Sequence, residues 1–279
     1  MAQPNSATMQ WPEAGRPAVV VTGASSGIGR EFARIAALEG AELVLLGRSA
    51  AALEALAAEL GTTGQPAHAV PLDLVRPDAA AALGEALAAR GVVCDVLVNN
   101  AGAGLLGRFA ALDPAAQLGL VDLNIRAATA LALAALPGML RRGRGGILNV
   151  ASVAGFLPGP GMAVYYASKA YLRSLSEALW TETAGTGVRV SCLCPGPVET
   201  AFFGRAGASR SPAFDGVPKA DAARVAAHGW AGFRRGQRIV FPDLSSRLAA
   251  TALPLVPHAV LLPLVRRFQQ ARGGARDAG

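Results

Sequence analysis

A glycine cluster near the start of the chain constrains the fold more than any other feature. Residues 18–22 read AVVVT, and TGASSGIG follows at 22–29. Apolar residues then recur at helical spacing through 28–39. Glycines allow a backbone turn with positive φ, so this order predicts a strand, a tight loop and a helix.

The alternation of strand and helix patterns continues through most of the chain. Strands are predicted near 42–46, 67–72, 95–99, 147–152, 188–194 and 238–241, and helices near 50–60, 78–90, 114–142 and 163–184. Continuous apolar strands separated by helices indicate a parallel sheet covered on both faces. With 279 residues, one α/β domain is favoured: a Rossmann-like, doubly wound sheet of about seven strands.

Three regions are predicted from composition. Residues 1–16 are polar, lack an apolar run for a signal peptide and are expected to be a disordered tail. Residues 17–242 form the Rossmann-like domain, with a loop or lid at about 196–236. Residues 243–279 form a helical extension that ends in a polar tail.

Charge and cysteine usage argue against several classes of protein. The net charge is +7, but it is spread along the chain, so a nucleic-acid binder ranks last. The thiols of Cys94, Cys192 and Cys194 suggest neither a disulfide framework nor a metal site, and the three histidines are far apart. A reducing, cytoplasmic location and no metal are predicted.

The glycine cluster is a candidate phosphate cradle. Its backbone N–H groups can approach a pyrophosphate at the positive end of the following helix. The expected contacts come from Gly23, Ser25, Ser26, Gly27, Ile28 and Gly29.

The end of the second strand predicts the cofactor. Arg48 and Ser49 stand where an acidic residue would bind a free ribose 2′-hydroxyl. A guanidinium instead matches the charge and geometry of a 2′-phosphate. The sequence therefore favours NADP(H) over NAD(H).

The ordered motifs resemble those of the short-chain dehydrogenase/reductase family over about residues 18–200. The matching pieces are TGASSGIG, Asp73-Leu74, Asn99-Asn100-Ala101-Gly102, Asn124, Ser152, Tyr165-x-x-x-Lys169, and Pro195-Gly196 with Val198 and Thr200. Ala151 replaces a second serine that relatives often have. The resemblance implies hydride transfer between a nicotinamide and a carbonyl or alcohol carbon.

Residue usage singles out the same catalytic candidates. All three tyrosines lie within 165–171, and Lys169 is one of only two lysines. A phenol has a pKa of about 10, so it needs a nearby cation to favour phenolate. Lys169 lies one helical turn after Tyr165 and can supply that charge.

By resemblance, Tyr165 is the general acid and base, Ser152 orients the substrate oxygen, and Asn124 holds a water that connects Lys169 to solvent. Tyr166 is interpreted as structural or pocket-lining. The resemblance also implies contacts with parts of the cofactor: Asp73 and Leu74 with the adenine, residues 99–102 (among them Asn100, Ala101 and Gly102) with the adenosine ribose, and Thr200 with the carboxamide. The remaining cofactor-binding residues that it implies are Tyr165, Lys169, Pro195, Gly196 and Val198.

The sequence constrains the substrate and the partners less than it constrains the cofactor and the catalytic residues. Phe202, Phe203 and Phe214 suggest an apolar pocket for a ketone, aldehyde, acyl thioester or sterol-like alcohol, although they fit a core equally well. A non-catalytic NADP(H)-binding sensor is the alternative function. The helices 114–142 and 163–184 are candidate surfaces for a homodimer or homotetramer.

The uncharged stretch 248–265 contains Pro254, Pro257 and Pro263, which argue against a membrane-spanning helix. Packing over the pocket or on a partner subunit is favoured for it, with peripheral membrane contact as the alternative.

Overall fold

The domain is built on one parallel sheet. The computed structural model describes residues 11–62, 64–199 and 220–273. The strands are β1 Arg16–Thr22, β2 Glu42–Gly47, β3 Ala67–Pro71, β4 Val92–Asn99, β5 Gly145–Val150, β6 Val188–Leu193 and β7 Ile239–Val240. They pair in parallel in the order β3-β2-β1-β4-β5-β6-β7. The predicted fold class is confirmed.

Helices connect these strands and cover both faces of the sheet. They are α1 Gly27–Leu38, α2 Ala50–Gly61, α3 Ala79–Ala88, α4 Pro114–Val121, α5 Ala128–Arg142, α6 Ala163–Glu182, α7 Ala222–Arg234, α8 Leu244–Ala252 and α9 His258–Gly273. The predicted helix 114–142 has the right extent, but a π-helical turn at Asp122–Ala127 joins α4 to α5.

Strand side chains alternate between two buried cores. Val20, Val44 and Leu97 pack with α3 and α5 on one face of the sheet. Val21 and Leu45 pack with α1, α2 and α7 on the other. Because both faces are buried, the strands read as continuous apolar runs rather than alternating ones.

The strand order reverses at β1, which lies between β2 and β4. The connections after β1 and β4 therefore leave the sheet in opposite directions, and a crevice opens beyond the strands' carboxyl ends. This topological switch point predicts the position of a ligand site.

Two predicted boundaries need correction. Trp11 is buried, and its Nε1 donates to Ala80 O at 2.8 Å, so the expected disordered tail does not extend to residue 16. The expected lid at 196–236 is too long, because α7 is a core helix. Its Trp230 and Phe233 pack beside Phe32 of α1. Phe202, Phe203 and Phe214 lie outside the described residues.

The C-terminal extension is helical, as expected. A short 3₁₀ turn at Leu253–Leu255 links α8 to α9. The segment Pro114–Arg142 is long and apolar enough to cross a membrane by length and composition. It lies against the sheet, however, and its buried Leu131 and Met139 belong to the core.

Candidate active site

The glycine loop after β1 needs its glycines for two reasons. Gly23 and Gly27 adopt positive φ values of 66° and 57°, which disfavour other residues. A Cβ on Gly29 would lie 2.5 Å from Gly23 O, so Gly29 allows close packing of α1 on the loop. The Ser26 side chain makes no capping hydrogen bond to α1, which leaves the first-turn amides available to an anion.

Thr22 joins the ends of β1 and β4. Its Oγ1 donates to Val98 O at 3.1 Å and accepts from the backbone N of Asn100 and of Ala101, each at 2.9 Å. The Asn100 side chain in turn donates to Thr22 O at 2.9 Å. These bonds hold together the loops that follow β1 and β4 at the switch point. The Asn100 side chain therefore positions the glycine loop in addition to lining the cavity.

One cavity of about 620 Å³ brings most of the predicted site residues together. The predicted residues that line it are Gly23, Ser25, Ser26, Gly27, Ile28, Arg48, Asp73, Leu74, Asn100, Ala101, Gly102, Ser152, Tyr165, Lys169, Pro195, Gly196 and Val198. Three further predicted residues, Gly29, Ser49 and Asn124, do not line the cavity but pack behind residues that do. Thr200 lies outside the described residues.

Arg48 is exposed at the cavity immediately after β2. It forms no ion pair with any residue that the structure describes, so its guanidinium can meet an external anion. Ser49 is the N-cap of α2, and its Oγ accepts from Ala52 N at 3.4 Å. At the end of β2, a cation without an ion-pair partner among the described residues thus lies beside the amino end of a helix.

Ser152, Tyr165 and Lys169 meet in the same cavity. Ser152 Oγ donates to Pro195 O at 3.2 Å and hydrogen-bonds with Tyr165. Lys169 Nζ donates to Val150 O at 2.9 Å and lies 5.8 Å from the centroid of the Tyr165 ring. The two side chains are four residues apart in α6, so they share one helical face.

The electrostatics differ from the sequence-based expectation. Burial raises the pKa of Tyr165 to about 12, although the hydrogen bond with Ser152 opposes that rise. Burial also lowers the pKa of Lys169 to about 8, against the opposing effect of Cys192 and Cys194. The expected shift of Tyr165 toward phenolate is therefore not found in the protein alone, because burial raises the pKa more than the hydrogen bond with Ser152 lowers it.

Asn124 organises the cavity wall from the π-helical turn. Its Nδ2 donates to Ala103 O at 2.9 Å and to Ser168 Oγ at 3.0 Å, and its Oδ1 accepts from Ala103 N at 3.0 Å. A Cβ on Gly102 would lie 3.3 Å from Asn124 Oδ1 and 3.4 Å from Lys169 Nζ. Asn124 therefore holds the loop that passes beside the lysine.

Asn99 has a structural role instead of the expected ribose contact. It is buried, and its Nδ2 donates to Asn149 Oδ1 at 3.0 Å and to Ala128 O at 3.2 Å. Asn149 continues the network to Ser176 Oγ at 2.9 Å. These bonds connect β4, β5 and α6 inside the core, away from the cavity lining.

The sequence predicts an apolar pocket, but not the described residues that form the apolar part of this cavity. Its lining comprises Leu105, Ala116, Gly119, Leu120, Leu123, Val153, Ala154, Leu157 and Met162. Four of these residues follow the i, i+3, i+4, i+7 spacing of one helical face, which could have indicated the surface. Tyr166 lines the cavity as expected, and its ring meets that of Tyr165 edge-on.

Metal ligation has no candidate among the described residues. Those residues contain no group of three or more His, Cys, Asp or Glu side chains arranged to hold an ion. Cys94, Cys192 and Cys194 are buried free thiols.

The sequence and the fold both match known dehydrogenases. Residues 17–211 match the family described as short chain dehydrogenase. An oxidoreductase from Myxococcus xanthus is 39% identical over 181 residues, which cover 65% of this chain and 72% of the relative.

Two solved structures extend the likeness to nearly the whole chain. A short-chain dehydrogenase from Sphingobium yanoikuyae in complex with NADPH is 33% identical, with a TM-score of 0.76, and the match covers 94% of this chain and 98% of that one. A bulky-bulky ketone specific alcohol dehydrogenase from Comamonas testosteroni is 26% identical, with a TM-score of 0.71 and coverage of 96% and 97%. This protein therefore belongs to the short-chain dehydrogenase/reductase family and is an oxidoreductase with a nicotinamide cofactor.

Proposed function

We propose that the protein is an NADP(H)-dependent reductase of apolar ketones or aldehydes, with Tyr165 as the general acid and base. One observation carries the proposal. Tyr165, its hydrogen-bond partner Ser152 and Lys169 share a single cavity with the glycine loop and Arg48. Such a cavity can hold a dinucleotide and a second molecule side by side.

The residues around the glycine loop fit NADP(H). The loop offers backbone amides for the pyrophosphate, and Arg48 offers a guanidinium for the 2′-phosphate that no described residue pairs with. When bound, the cofactor supplies the hydride. Lys169 has an ammonium that can donate to ribose hydroxyls as well as to Val150 O.

The protonation of Tyr165 favours its role as an acid. Burial raises its pKa to about 12, so the phenol keeps its proton at neutral pH. It can pass that proton to the oxygen of a carbonyl group while Ser152 orients the same oxygen. The positive charge of Lys169 then stabilises the phenolate left behind.

The apolar lining supports a substrate without charged groups. Leucine, valine and methionine side chains line the same cavity as Tyr165. Ala116 and Gly119 leave space there, since a Cβ on Gly119 would have no neighbour within 4 Å beyond its own helix. A bulky ketone fits this space. The similarity to the bulky-bulky ketone specific alcohol dehydrogenase from Comamonas testosteroni supports this substrate class.

The test is turnover of NADPH and NADH with ketones and aldehydes of increasing size. We expect NADPH to be preferred. We also expect Tyr165→Phe to abolish turnover while NADPH binding, measured by fluorescence titration, is unchanged. Tyr166→Phe is the matched control and should retain most activity, because that hydroxyl is not the proposed acid.

Two outcomes would contradict the proposal. Full turnover by the Tyr165→Phe variant would exclude the phenol as the acid. Tight NADPH binding without turnover of any carbonyl compound, by a wild-type protein that is folded, would favour the sensor function.

A further inference from the structure

Within the C-terminal extension, the helical residues 244–273 carry charge of only one sign. Residues 244–273 contain no aspartate or glutamate. Arg247, Arg266 and Arg267 are all exposed and form no ion pair with any described residue. Some surface arginines elsewhere, Arg34 and Arg126 among them, do have acidic partners. An unneutralised basic segment of this kind attracts an anionic surface.

The same segment exposes large apolar side chains. Leu244 and Leu248 of α8 are 70% and 56% exposed, and Val260 and Leu264 of α9 are 60% and 58% exposed. Leu255 in the turn between these helices is 84% exposed. Each helical pair is four residues apart and therefore forms one apolar face.

The opposite side of each helix anchors the extension to the domain. Ala250 of α8 is buried, as are Leu261 and Val265 of α9. Ser246 Oγ accepts a hydrogen bond from Gly196 N at 3.0 Å and donates to Asp243. The exposed faces are therefore the outer surface of packed helices, which we call the C-terminal basic-apolar surface.

The exposed side chains do not cover the active-site cavity. No described residue of 244–273 lines it, so the expected packing over the pocket is not observed.

A second copy of the chain is also a poor partner. A two-fold interface through this surface would bring arginines together with no acidic residue of the same segment to neutralise them.

The geometry points to the C-terminal basic-apolar surface as a docking site for an anionic lipid bilayer. The leucines and Val260 would enter the boundary between headgroups and acyl chains, and the three arginines would meet lipid phosphates. Pro254, Pro257 and Pro263 oppose a spanning helix but are compatible with helices that lie along the surface. This docking is independent of the proposed reaction.

Docking would bring the cavity close to the membrane. Ser246 of α8 binds the backbone of Gly196, and Gly196 lines the cavity. An apolar substrate dissolved in the bilayer would then lie on the side of the protein where Gly196 lines the cavity.

The test is flotation of the purified full chain with lipid vesicles. We expect binding to vesicles of phosphatidylcholine mixed with phosphatidylglycerol, weak binding to phosphatidylcholine alone, and release by added salt. Replacing the three arginines by glutamine should weaken binding by about fivefold for each arginine. The pairs L244S/L248S and V260S/L264S should each weaken it about tenfold or more.

Matched controls separate this surface from general effects. Leu38→Ser alters an 81% exposed leucine in α1, and Arg235→Gln removes an exposed arginine after α7. Both should bind vesicles like the wild type. Circular dichroism and turnover of a water-soluble ketone verify that every variant is folded.

The inference is overturned if the wild type does not float with anionic vesicles, or if the arginine and leucine variants float equally well. Loss of self-association in V260S/L264S without any vesicle binding would identify the surface as a protein interface instead.

Discussion

Arg48 supplies the charged contact that is proposed for a 2′-phosphate. It is exposed at the cavity and has no ion-pair partner in the described ranges. Arg48→Asp should repel the phosphate and accept hydrogen bonds from a free ribose, so the ratio of kcat/KM for NADPH over NADH should fall about 100-fold. Steady-state kinetics with both cofactors measures this ratio. Arg235 lies outside the cavity lining, so Arg235→Asp should leave the ratio unchanged. If Arg235→Asp lowered the ratio to a similar extent, the effect would arise from the net charge of the protein and not from a contact of Arg48.

The charge of Lys169 should set an upper pH limit for the reduction. Burial lowers its pKa from 10.5 to about 8, so the ammonium is present below that pH and lost above it. Without the charge, the phenolate of Tyr165 is less stable. We therefore expect kcat/KM for carbonyl reduction to decline as the pH rises through about 8. A flat profile between about pH 7 and 10 would show that the charge of Lys169 does not affect the rate.

Gly119 should control substrate size. Because its Cβ position is open, Gly119→Leu places a side chain in the cavity without strain in α4. Turnover of bulky ketones should fall about tenfold or more, while that of small aldehydes is retained. Gly61→Leu is the matched control, since Gly61 of α2 is equally open but lies outside the cavity lining. Equal losses for large and small substrates would indicate damage to the fold.

Residue chemistry was predictable where a rare residue type coincided with a motif. Tyr165 and Lys169 are identified this way, whereas Ser152 follows from the family resemblance, and the structure places all three in one cavity. The roles of Asn99 and Gly29 were not predictable, because a motif does not distinguish a residue that touches a ligand from one packed behind it. The pKa of Tyr165 depends on burial, which requires the fold.

At the level of elements, one buried carboxylate joins three neighbouring strands. Glu42 at the start of β2 accepts from Arg16 of β1 at 2.9 Å and is 2.9 Å from His68 Nε2 of β3. The hydrogen bond from Arg16 is the main cause that lowers the pKa of Glu42, against the opposing effect of burial. Only 4% of the side chain is exposed.

A lowered folded-state pKa means that the ionised Glu42 stabilises the fold above its unfolded pKa of about 4.5. That stability is lost as the pH falls through the still lower folded value. Glu42→Gln should therefore reduce the free energy of unfolding by about 2 kcal/mol at neutral pH and much less in acid. Urea unfolding at both pH values measures this. Glu54→Gln, on an exposed carboxylate of α2, should change neither value.

The elements themselves followed from periodicity, but their functions did not. Continuous apolar strands separated by helices predicted the sheet, and β1 to β6 were found within a few residues. The π-helical turn around Asn124 was missed, because one altered turn leaves the apolar pattern unchanged. Helix α7 was assigned to a lid because glycines surround it, although its Trp230 is buried.

At the level of the whole molecule, α5 and α6 meet at the surface, and each helix carries exposed apolar side chains. Thr129 Oγ1 and Tyr171 OH are 2.9 Å apart and connect the two helices. Leu133, Leu140 and Trp180 on the same helices are 58%, 40% and 38% exposed. A surface of this kind favours association between copies, as proposed from the sequence.

We expect wild-type protein to sediment as a dimer or tetramer and Leu133→Glu to shift it toward monomer, because the new charge would be desolvated at the interface. Analytical ultracentrifugation over a range of concentrations measures the shift, with Leu38→Glu as the control on an exposed leucine of α1. Leu133→Glu should retain binding to anionic vesicles, since the C-terminal basic-apolar surface is a different part of the molecule. If Leu133→Glu leaves the assembly intact, the interface lies elsewhere; if it also abolishes vesicle binding, docking depends on assembly.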